Sequence, residues 1–409
     1  EIPHPLPIKA PWALLGGISP AQFMAEYWQK KPLLVRNAIP AFALEKAKGT
    51  SLESPMSAEE LINLATQDGV ESRLVQAKPW RLGHGPFNAR SIPKLSKKDW
   101  TVLVQGMEAH HPAAKTILSW FRFIPDSRLD DLMISLAGPN GGVGPHLDSY
   151  DVFLLQMSGR RHWRISEQKD HTLIDGLPLK ILKNFQCEHE WVLEPGDLLY
   201  LPPKVAHDGI ALDPGTQTWS VGFRSPSWKE LLQEALWKLA DSLDDLPELN
   251  QLMNDPTQIA TSSPANLPEL TVNEFKKQFS KLPLKGKLIS DLLETTLCES
   301  LSEPKPQIVF SSPTKPLSPK QFKKACEQSG ISPNSQTRFL VYKQVVYCNG
   351  ELLASKKESP IVFKYFELLA QQKFLSPLQC KNELSDPDLV DRLYEMYEDG
   401  WLEIGAKEL

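Results

Sequence analysis

Two short stretches of the chain carry side chains suited to binding a metal ion. His146 and Asp148 stand two residues apart in GPHLDSYD, and His207 follows in LPPKVAHDG. Side chains two apart on a strand point to the same face, so one imidazole and one carboxylate can share a site. Two histidines and one carboxylate with open coordination positions are typical of a non-haem Fe(II) centre that activates oxygen. The sequence therefore predicts a catalytic metal site formed by His146, Asp148 and His207.

Three other histidines compete for the third ligand position. His162 lies in the next predicted strand, and His171 and His189 lie in loop-like sequence, so His207 is favoured. The alternative without a metal is that Asp148 caps a turn and that His207 lies in a surface loop. The Gly-rich turn before His146 and the strand-like sequence after Asp148 favour the metal site.

The sequence around these ligands predicts a series of short strands. Gly-, Pro-, Asn- and Asp-rich turns such as GPNGGVGP, MSGR and EPGD separate the apolar runs. Such a pattern is typical of an antiparallel sandwich or barrel. We expect a mainly β catalytic domain with the double-stranded β-helix of the cupin jelly rolls. The predicted strands are DLMISLA, YDVFLLQM, RHWRIS, EWVLEP, DLLYLP and TQTWSVGFR.

Helical sequence flanks the strand region on both sides. Before it, Ser19 with Pro20 and Ser57 with Glu60 are N-terminal capping signals. After it come three amphipathic segments, a Pro/Ser-rich linker, and a last unit of strand-like sequence, two helices and a terminal strand. We therefore expect a catalytic domain at 1–225, an α-helical region at 226–302 and an α+β winged-helix-like domain at 303–409.

Composition limits the partners and the compartment. A net charge of -5 gives no overall positive field, and the last unit is rich in acidic residues, so direct DNA binding is not expected. The five cysteines are scattered without a CxxC pair, which indicates neither a zinc knuckle nor a disulfide framework. No apolar run is long enough to span a bilayer. These features predict a cytoplasmic protein without membrane attachment.

Three segments carry a family resemblance: GPHLDSYDVFLLQMSGRRHWRI, LEPGDLLYLPPKVAHDGIA and WSVGFRSP. They resemble the JmjC-type ribosomal oxygenases, a branch of the cupin-like 2-oxoglutarate oxygenases, and above all the bacterial ribosomal protein arginine hydroxylases. The resemblance implies Fe(II), molecular oxygen and 2-oxoglutarate as cosubstrate. It also implies a large-subunit ribosomal protein as substrate, hydroxylated at the β-carbon of an arginine. Other members of the class act on histidine, and members pair as homodimers through the helical region.

The resemblance also assigns residues to 2-oxoglutarate. Arg161 matches the arginine that binds the far carboxylate of the cosubstrate, and Ser135 matches a second contact. An arginine can bind a carboxylate through two parallel hydrogen bonds. Strand alternation puts Arg160 and Arg164 on the other face, where we expect solvated side chains. The alternative for Arg161 is a surface salt bridge.

Three further positions match those that hold the substrate guanidinium in relatives. They are Asp131, Tyr150 and Ser220, near the ends of three predicted core strands. Asp131 would neutralise the cation, and the two hydroxyl groups would accept hydrogen bonds from it. The structural alternatives are a turn role for Asp131 and core packing for Tyr150.

Two other functions remain open at this point. A JmjC-type demethylase acting on methyl-lysine or methyl-arginine would use the same iron site and release formaldehyde. A cupin-fold binding or regulatory protein would have lost catalysis altogether. The presence of all three predicted ligands together with Arg161 argues against this second alternative.

Overall fold

Residues 6–225 form the β-rich part of the protein. The computed structural model describes residues 6–245, 260, 267–280, 282, 286–384 and 386–405. The strands of this part are β1 (Leu33–Val35), β2 (Ser72–Gln76), β3 (Arg81–His84), β4 (Trp100–Val104), β5 (Leu129–Ala137), β6 (Val152–Ser158), β7 (Arg161–Ser166), β8 (His189–Leu193), β9 (Leu198–Leu201), β10 (Ala206–Ala211) and β11 (Thr216–Phe223).

Four α-helices lie in the same part: α1 (Pro20–Glu26), α2 (Pro40–Ala47), α3 (Ala58–Leu64) and α4 (Pro112–Ser119). Both predicted capping signals are confirmed. The Ser19 hydroxyl accepts a hydrogen bond from the backbone N–H of Gln22, and Ser57 forms a reciprocal capping box with Glu60.

Two antiparallel sheets face each other, which confirms the mainly β fold. The large sheet has eight strands in the order β1-β9-β6-β11-β5-β4-β2-β3, and the small sheet has the order β10-β7-β8. The six predicted strands are all present. Strands β2, β3 and β4, which the sequence did not predict, extend the large sheet beyond β5.

The two faces of the large sheet have different partners. One face, with Phe153 and Trp219, packs against the helices in a core that includes Phe23 and Phe121. The opposite face turns apolar side chains toward the small sheet, and these form a second cluster. That cluster contains Val152, Leu154, Leu199 and Leu201 from the large sheet and Trp163, Ile165, Leu193 and Val205 from the small sheet or its border. The face of each sheet that is turned toward the other sheet is called the inward face below, and any polar side chain on it lies between the two sheets.

A buried hydrogen-bond network fixes the start of β6 to the N-terminal segment. Asp151 is fully buried, and its carboxylate accepts hydrogen bonds from the Tyr200 hydroxyl at 2.6 Å and from the Gln29 amide at 2.9 Å. The same hydroxyl accepts from the backbone N–H of Gln29 at 2.8 Å. Because Asp151 directly follows Tyr150 and lies three residues after Asp148, the network restrains the loop that carries both.

Three helices follow β11: α5 (Trp228–Asp241), α6 (Glu269–Ser280) and α7 (Lys287–Ser302). They correspond to the three predicted amphipathic segments, although Leu246 and Lys281 at the ends of two segments lie outside the described residues. Helix α5 packs on α7. No helix in the described ranges combines the length and the apolar character that crossing a membrane requires.

The last part of the chain has its own apolar core, built around Phe322, Phe366 and Leu393. Helices α8 and α10 were not predicted, and α8 begins inside the stretch that was interpreted as linker. The elements are α8 (Pro319–Ser329), β12 (Ile331–Pro333), β13 (Phe339–Tyr342), β14 (Val345–Cys348), β15 (Glu351–Ser355), α9 (Pro360–Gln372), α10 (Pro377–Glu383), α11 (Pro387–Glu398) and β16 (Leu402–Ile404).

Charged side chains join this last part to the β-rich part. Arg122 donates hydrogen bonds to the carbonyl oxygens of Gln371 at 2.8 Å and of Ala370 at 3.1 Å. Asp126 pairs with Arg122 at 2.8 Å and with Lys373 at 3.0 Å. Although burial opposes ionisation, the charges of Lys373 and Arg122 hold the pKa of Asp126 well below its usual range. The ion pairs therefore persist across the physiological pH range.

We expect Tyr200→Phe to destabilise the protein by about 1–3 kcal/mol, because it removes one donor to a buried carboxylate and one acceptor for a backbone N–H. Urea unfolding curves would measure the loss. The matched control is Tyr27→Phe, since the Tyr27 hydroxyl makes no hydrogen bond to the described residues, and this change should cost less than about 0.5 kcal/mol. Equal midpoints for the two variants would contradict the role assigned to the network.

Candidate active site

A single backbone bridge brings two of the predicted ligands together. The N–H of His146 donates to the carbonyl of His207 at 3.0 Å, and the N–H of His207 donates back at 2.9 Å. The prediction that His146 and Asp148 end a strand is wrong, because His146 forms only this isolated bridge and Asp148 lies in the loop after it. Ligand atoms of His146, Asp148 and His207 nevertheless lie within 4.8 Å of one another.

Hydrogen bonds fix the orientation of both imidazole rings. His146 Nδ1 lies 2.8 Å from the Gly144 carbonyl oxygen, and His207 Nδ1 lies 3.0 Å from that of Val205. Because a carbonyl only accepts, each Nδ1 carries the hydrogen and each Nε2 keeps its lone pair. The Asp148 carboxylate lies 3.8 Å from His146 Nε2 and 3.5 Å from His207 Nε2. Metal-binding atoms of all three groups thus lie close enough together to hold one ion.

Burial, followed by the proximity of His146, lowers the pKa of His207 to about 4. The ring is therefore neutral at physiological pH, which is the form that binds a metal ion. A neutral buried imidazole beside a second imidazole and a carboxylate suits a divalent transition metal better than Ca²⁺ or Mg²⁺, which prefer oxygen ligands.

The competing histidines have other partners. His162 Nε2 lies 2.9 Å from the Glu190 carboxylate, and His171 Nε2 lies 3.1 Å from the carbonyl oxygen of Gln168. His189 stacks on Trp191 with ring centroids 5.9 Å apart. In the part of the chain that the structure describes, no other three His, Cys, Asp or Glu side chains converge in this way.

Arg161 is a buried cation with unused hydrogen-bond donors. Its side chain is on the inward face of the small sheet and is only 4% exposed. One Nη donates to the Gly209 carbonyl at 3.3 Å, whereas Nε and the other Nη find no partner among the described residues. Burial lowers the pKa of Arg161 to about 10, so it stays positively charged at neutral pH. An unpaired buried charge costs several kcal/mol, which indicates that this pocket receives an anion.

A glycine on the neighbouring strand makes room for this arrangement. A Cβ on Gly209 would lie 2.7 Å from the ring of Trp163, too close for any larger residue. The Trp163 ring lies 5.8 Å from the guanidinium carbon of Arg161. The ring and the Gly209 carbonyl therefore both help to fix the position of the cation.

Further polar groups line the same inward face. Ser135 is buried, and its hydroxyl donates to the Thr218 carbonyl at 3.3 Å. The Thr101 hydroxyl and the Trp163 indole N–H have no hydrogen-bond partner among the described residues. Leu103 in β4 pairs with Ser135, so these two side chains lie on the same face of the sheet. Thr101 is two residues before Leu103 and therefore also faces inward. The sequence analysis missed Thr101 because β4 itself was not predicted.

The two neighbouring arginines differ from each other. Arg160 pairs with Asp213 at 2.9 Å on the surface, as expected of an outward side chain. For Arg164 the expectation of a solvated side chain is wrong. It forms an ion pair with Asp208, and its Nε is buried.

The predicted substrate residues meet around Gly222. A Cβ built on Gly222 would lie 3.8 Å from Asp131 Oδ1 and 4.0 Å from Tyr150 Cε2. Loss of water around the hydroxyl, followed by the charges of Asp148 and Asp131, raises the pKa of Tyr150 and keeps the phenol protonated. Ser220 is buried on β11, two residues before Gly222, and therefore has the same inward parity. Gly222 itself was not singled out from the sequence.

Asp131 also has partners that the sequence analysis missed. Gln105 Nε2 donates to Asp131 Oδ2 at 3.0 Å and to Oδ1 at 3.3 Å. Lys305 Nζ lies 3.2 Å from Asp131 Oδ2. The Gln105 amide is held in turn by Arg73, which donates to its oxygen at 3.3 Å. No local pattern in the sequence links these three distant segments.

Comparison with known proteins agrees with this geometry. Residues 116–231 match the JmjC domain family. The chain is 30% identical to the ribosomal protein uL16 3-hydroxylase of Escherichia coli K12 over 385 residues, which cover 93% of this chain and 96% of the relative. It is 26% identical to the bifunctional lysine-specific demethylase and histidyl-hydroxylase NO66 of Aedes aegypti, over 59% of this chain and 38% of that protein.

A solved structure is similar over the same length. The structure of YcfD, a ribosomal oxygenase from Escherichia coli in complex with cobalt and 2-oxoglutarate, superposes with a TM-score of 0.74 at 28% identity. The match covers 94% of this chain and 97% of that one. The two facing sheets and the His-Asp-His cluster thus define a JmjC-type cupin fold with a metal site. The chain belongs to the JmjC-domain ribosomal oxygenases.

We expect His146→Ala and Asp148→Asn each to weaken Co(II) binding by more than about a hundredfold, because removal of a direct ligand costs more than removal of a supporting hydrogen bond. Anaerobic titration followed by Co(II) absorption would measure the affinity. His162→Ala, which removes a surface histidine paired with Glu190, should bind Co(II) like the unmodified protein. Unchanged affinity in the first two variants would refute the ligand set.

Proposed function

We propose that this protein is an Fe(II)- and 2-oxoglutarate-dependent oxygenase that hydroxylates an arginine side chain of a large-subunit ribosomal protein, at the β-carbon. The observation that carries the proposal is the unpaired, buried Arg161 in the same barrel as the His-Asp-His cluster. A small dianion that also binds a metal would satisfy both features at once. The relative that acts on uL16 supports uL16 as the target.

The metal ligands are His146, Asp148 and His207, and the cosubstrate residues are Arg161 and Ser135. Bound Fe(II) and 2-oxoglutarate supply oxidation by molecular oxygen, which converts a C–H bond to C–OH while 2-oxoglutarate becomes succinate and carbon dioxide. Arg161 holds the far carboxylate and so fixes the depth at which the cosubstrate lies. The apolar cluster between the sheets, which includes Ile165 opposite His207, limits the access of bulk water to the site.

Asp131, Tyr150 and Ser220 bind the substrate side chain. The Asp131 carboxylate pairs with the guanidinium, and its charge favours arginine over a neutral histidine. Tyr150 stays protonated and lies between Asp131 and the loop of Asp148, so it orients the target residue toward the metal. Ser220 offers a hydroxyl oxygen on the same inward face.

The remaining parts of the chain support assembly and location. We infer a catalytic domain at 1–225, a dimerisation region at 226–302 and a winged-helix-like domain at 303–409. The outer face of α5 presents Trp228, Leu232, Leu236 and Trp237 with exposures of 57–77%, and such a continuous apolar face is best buried in a homodimer. A ribosomal protein as substrate places the activity in the cytoplasm.

Arg161→Met should raise the KM for 2-oxoglutarate by more than about a hundredfold. Methionine has a side chain of similar length but lacks the charge and the two parallel hydrogen-bond donors of arginine. Succinate release at several 2-oxoglutarate concentrations would measure the effect, and Co(II) binding should persist. Arg160→Met is the matched control, since Arg160 pairs with Asp213 on the surface. An unchanged KM in Arg161→Met would exclude Arg161 as the carboxylate site.

Incubation of isolated ribosomal proteins with enzyme, Fe(II), 2-oxoglutarate and oxygen should add one oxygen atom, about 16 Da, to a single protein. Intact-mass analysis would identify that protein, and fragmentation would locate the modified arginine. Loss of about 14 Da from a methylated protein together with formaldehyde would favour a demethylase instead. Absence of any 2-oxoglutarate turnover would favour a binding protein.

A further inference from the structure

The two oxygen atoms of the Asp131 carboxylate have different surroundings. Oδ2 is engaged by Lys305 at 3.2 Å and by Gln105 at 3.0 Å. Among the described residues Oδ1 has only the longer 3.3 Å contact with Gln105, and it lies 3.8 Å from the position of a Cβ on Gly222, which in turn is 4.0 Å from Tyr150 Cε2. One oxygen is therefore held by the protein, and the other faces the proposed substrate pocket.

Lys305 comes from the segment between α7 and α8, outside the β-rich part. Its Nζ also lies 2.8 Å from Asp130 Oδ2, so it bridges two consecutive carboxylates on β5. Arg338, from the last part of the chain, lies 3.2 Å from Asp130 Oδ1 and donates to the Leu129 carbonyl at 2.9 Å. The start of β5 is thus fixed by cations from two segments that follow the catalytic part.

We propose that Lys305 is a positioning residue for the arginine substrate, which holds Asp131 so that Oδ1 is presented to the target guanidinium. This inference rests on the proposed function and adds to it a specificity residue outside the catalytic domain. Lys305 does not touch the substrate. It acts through Asp131, and its side chain is only 24% exposed.

The charges around Asp131 support this role. Burial raises the pKa of Asp131, and Asp130 raises it further, whereas Lys305 is the strongest influence that lowers it. Burial would lower the pKa of Lys305, but the two carboxylates outweigh it and raise that pKa. Without Lys305 the pKa of Asp131 would rise further, and below that pKa the group is a neutral acid that pairs weakly with a guanidinium.

Other titratable groups near Asp131 do not replace Lys305. Burial, followed by the charge of Asp131, raises the pKa of Glu108 to about 8, so Glu108 is mostly neutral at pH 7. Tyr150 is also neutral. Arg338 engages Asp130 instead, and Arg73 reaches Asp131 only through Gln105. Lys305 is thus the cation in direct contact with Asp131 in the described part of the chain.

A rival interpretation is that Lys305 is an internal competitor that occupies the guanidinium site. The geometry argues against it, because the ammonium lies on Oδ2 and on Asp130, whereas Oδ1 is the oxygen that lies beside Gly222. The two interpretations predict opposite effects when the charge is removed. Removal of the charge weakens substrate binding if Lys305 positions Asp131, and strengthens it if Lys305 competes with the substrate.

The test compares Lys305→Met with Lys305→Arg, using the full-length protein and a synthetic peptide that spans the hydroxylated arginine. We expect Lys305→Met to raise the peptide KM by about tenfold, as for loss of a hydrogen bond to a charged group, with kcat changed much less. Lys305→Arg should restore most of the affinity. The matched control is Lys315→Met, an exposed lysine in the same segment, with an unchanged KM.

The pH profile separates positioning from a general loss of structure. The acid limb of kcat/KM should move to higher pH in Lys305→Met, because Asp131 then ionises only at a higher pH. Raising the pH should therefore recover part of the affinity. For the same peptide with citrulline in place of arginine, the KM of the variant and of the unmodified enzyme should differ less. Unchanged Co(II) and 2-oxoglutarate binding would verify that the variant is folded.

An unchanged or lower KM for arginine peptide in Lys305→Met, with both enzymes active, would overturn the positioning role alone. Failure of the unmodified enzyme to hydroxylate any arginine would refute the proposed function, and the role of Lys305 with it. The two failures are therefore distinguishable in one set of assays.

Discussion

The site depends on the antiparallel contact between the loop at residues 140–148 and the segment at residues 204–211. Backbone hydrogen bonds join Asn140 and Gly141 to Ala211, His146 to His207, and the N–H of Lys204 to the carbonyl of Asp148. These bonds set the spacing of the ligands before any side chain is considered. The backbone is held at both ends and each imidazole is hydrogen-bonded to a backbone carbonyl, so a metal can bind without ordering the chain.

Close approach of this loop to β10 explains its glycines. A Cβ on Gly142 would lie 2.5 Å from the Gly209 carbonyl oxygen, and one on Gly209 would lie 2.7 Å from the Trp163 ring. Larger side chains at either position would push the loop or the ring away. The Gly-rich turn, interpreted from the sequence only as a turn, is thus also the surface on which the small sheet packs.

Opposite charges at the two ends of the inward face give the pocket a direction. Asp131 and Ser135 lie four residues apart on β5, a separation of about 13 Å along a strand. Ser135 lies in the second half of β5, and Asp131 lies near its start. An anion is therefore stabilised near Arg161 and a cation near Asp131. A dianionic cosubstrate and a cationic side chain would each be disfavoured in the other position.

The sequence predicted what repeats locally and missed what depends on distant contacts. The six apolar strands that the sequence predicted are all present, and so are the two capping signals at Ser19 and Ser57. Helices α8 and α10 were missed although Ser318 and Ser376 begin capping boxes, and the start of α8 lay in the Pro-rich stretch interpreted as a linker. Strands β2 to β4 are short, and only pairing with β5 makes them part of the sheet.

The same distinction applies to the site. The spacing of His146 and Asp148 is a local pattern, so sequence could propose it. The contact of Lys305 with Asp131 joins segments far apart in the chain, and a lone lysine in a Pro-rich segment carries no signal. Its importance follows only from the cost of leaving the buried Asp131 carboxylate without a cation in direct contact. Because that cation and Arg338 both come from beyond α7, the substrate recognition that we propose depends on chain segments that contribute no metal ligand.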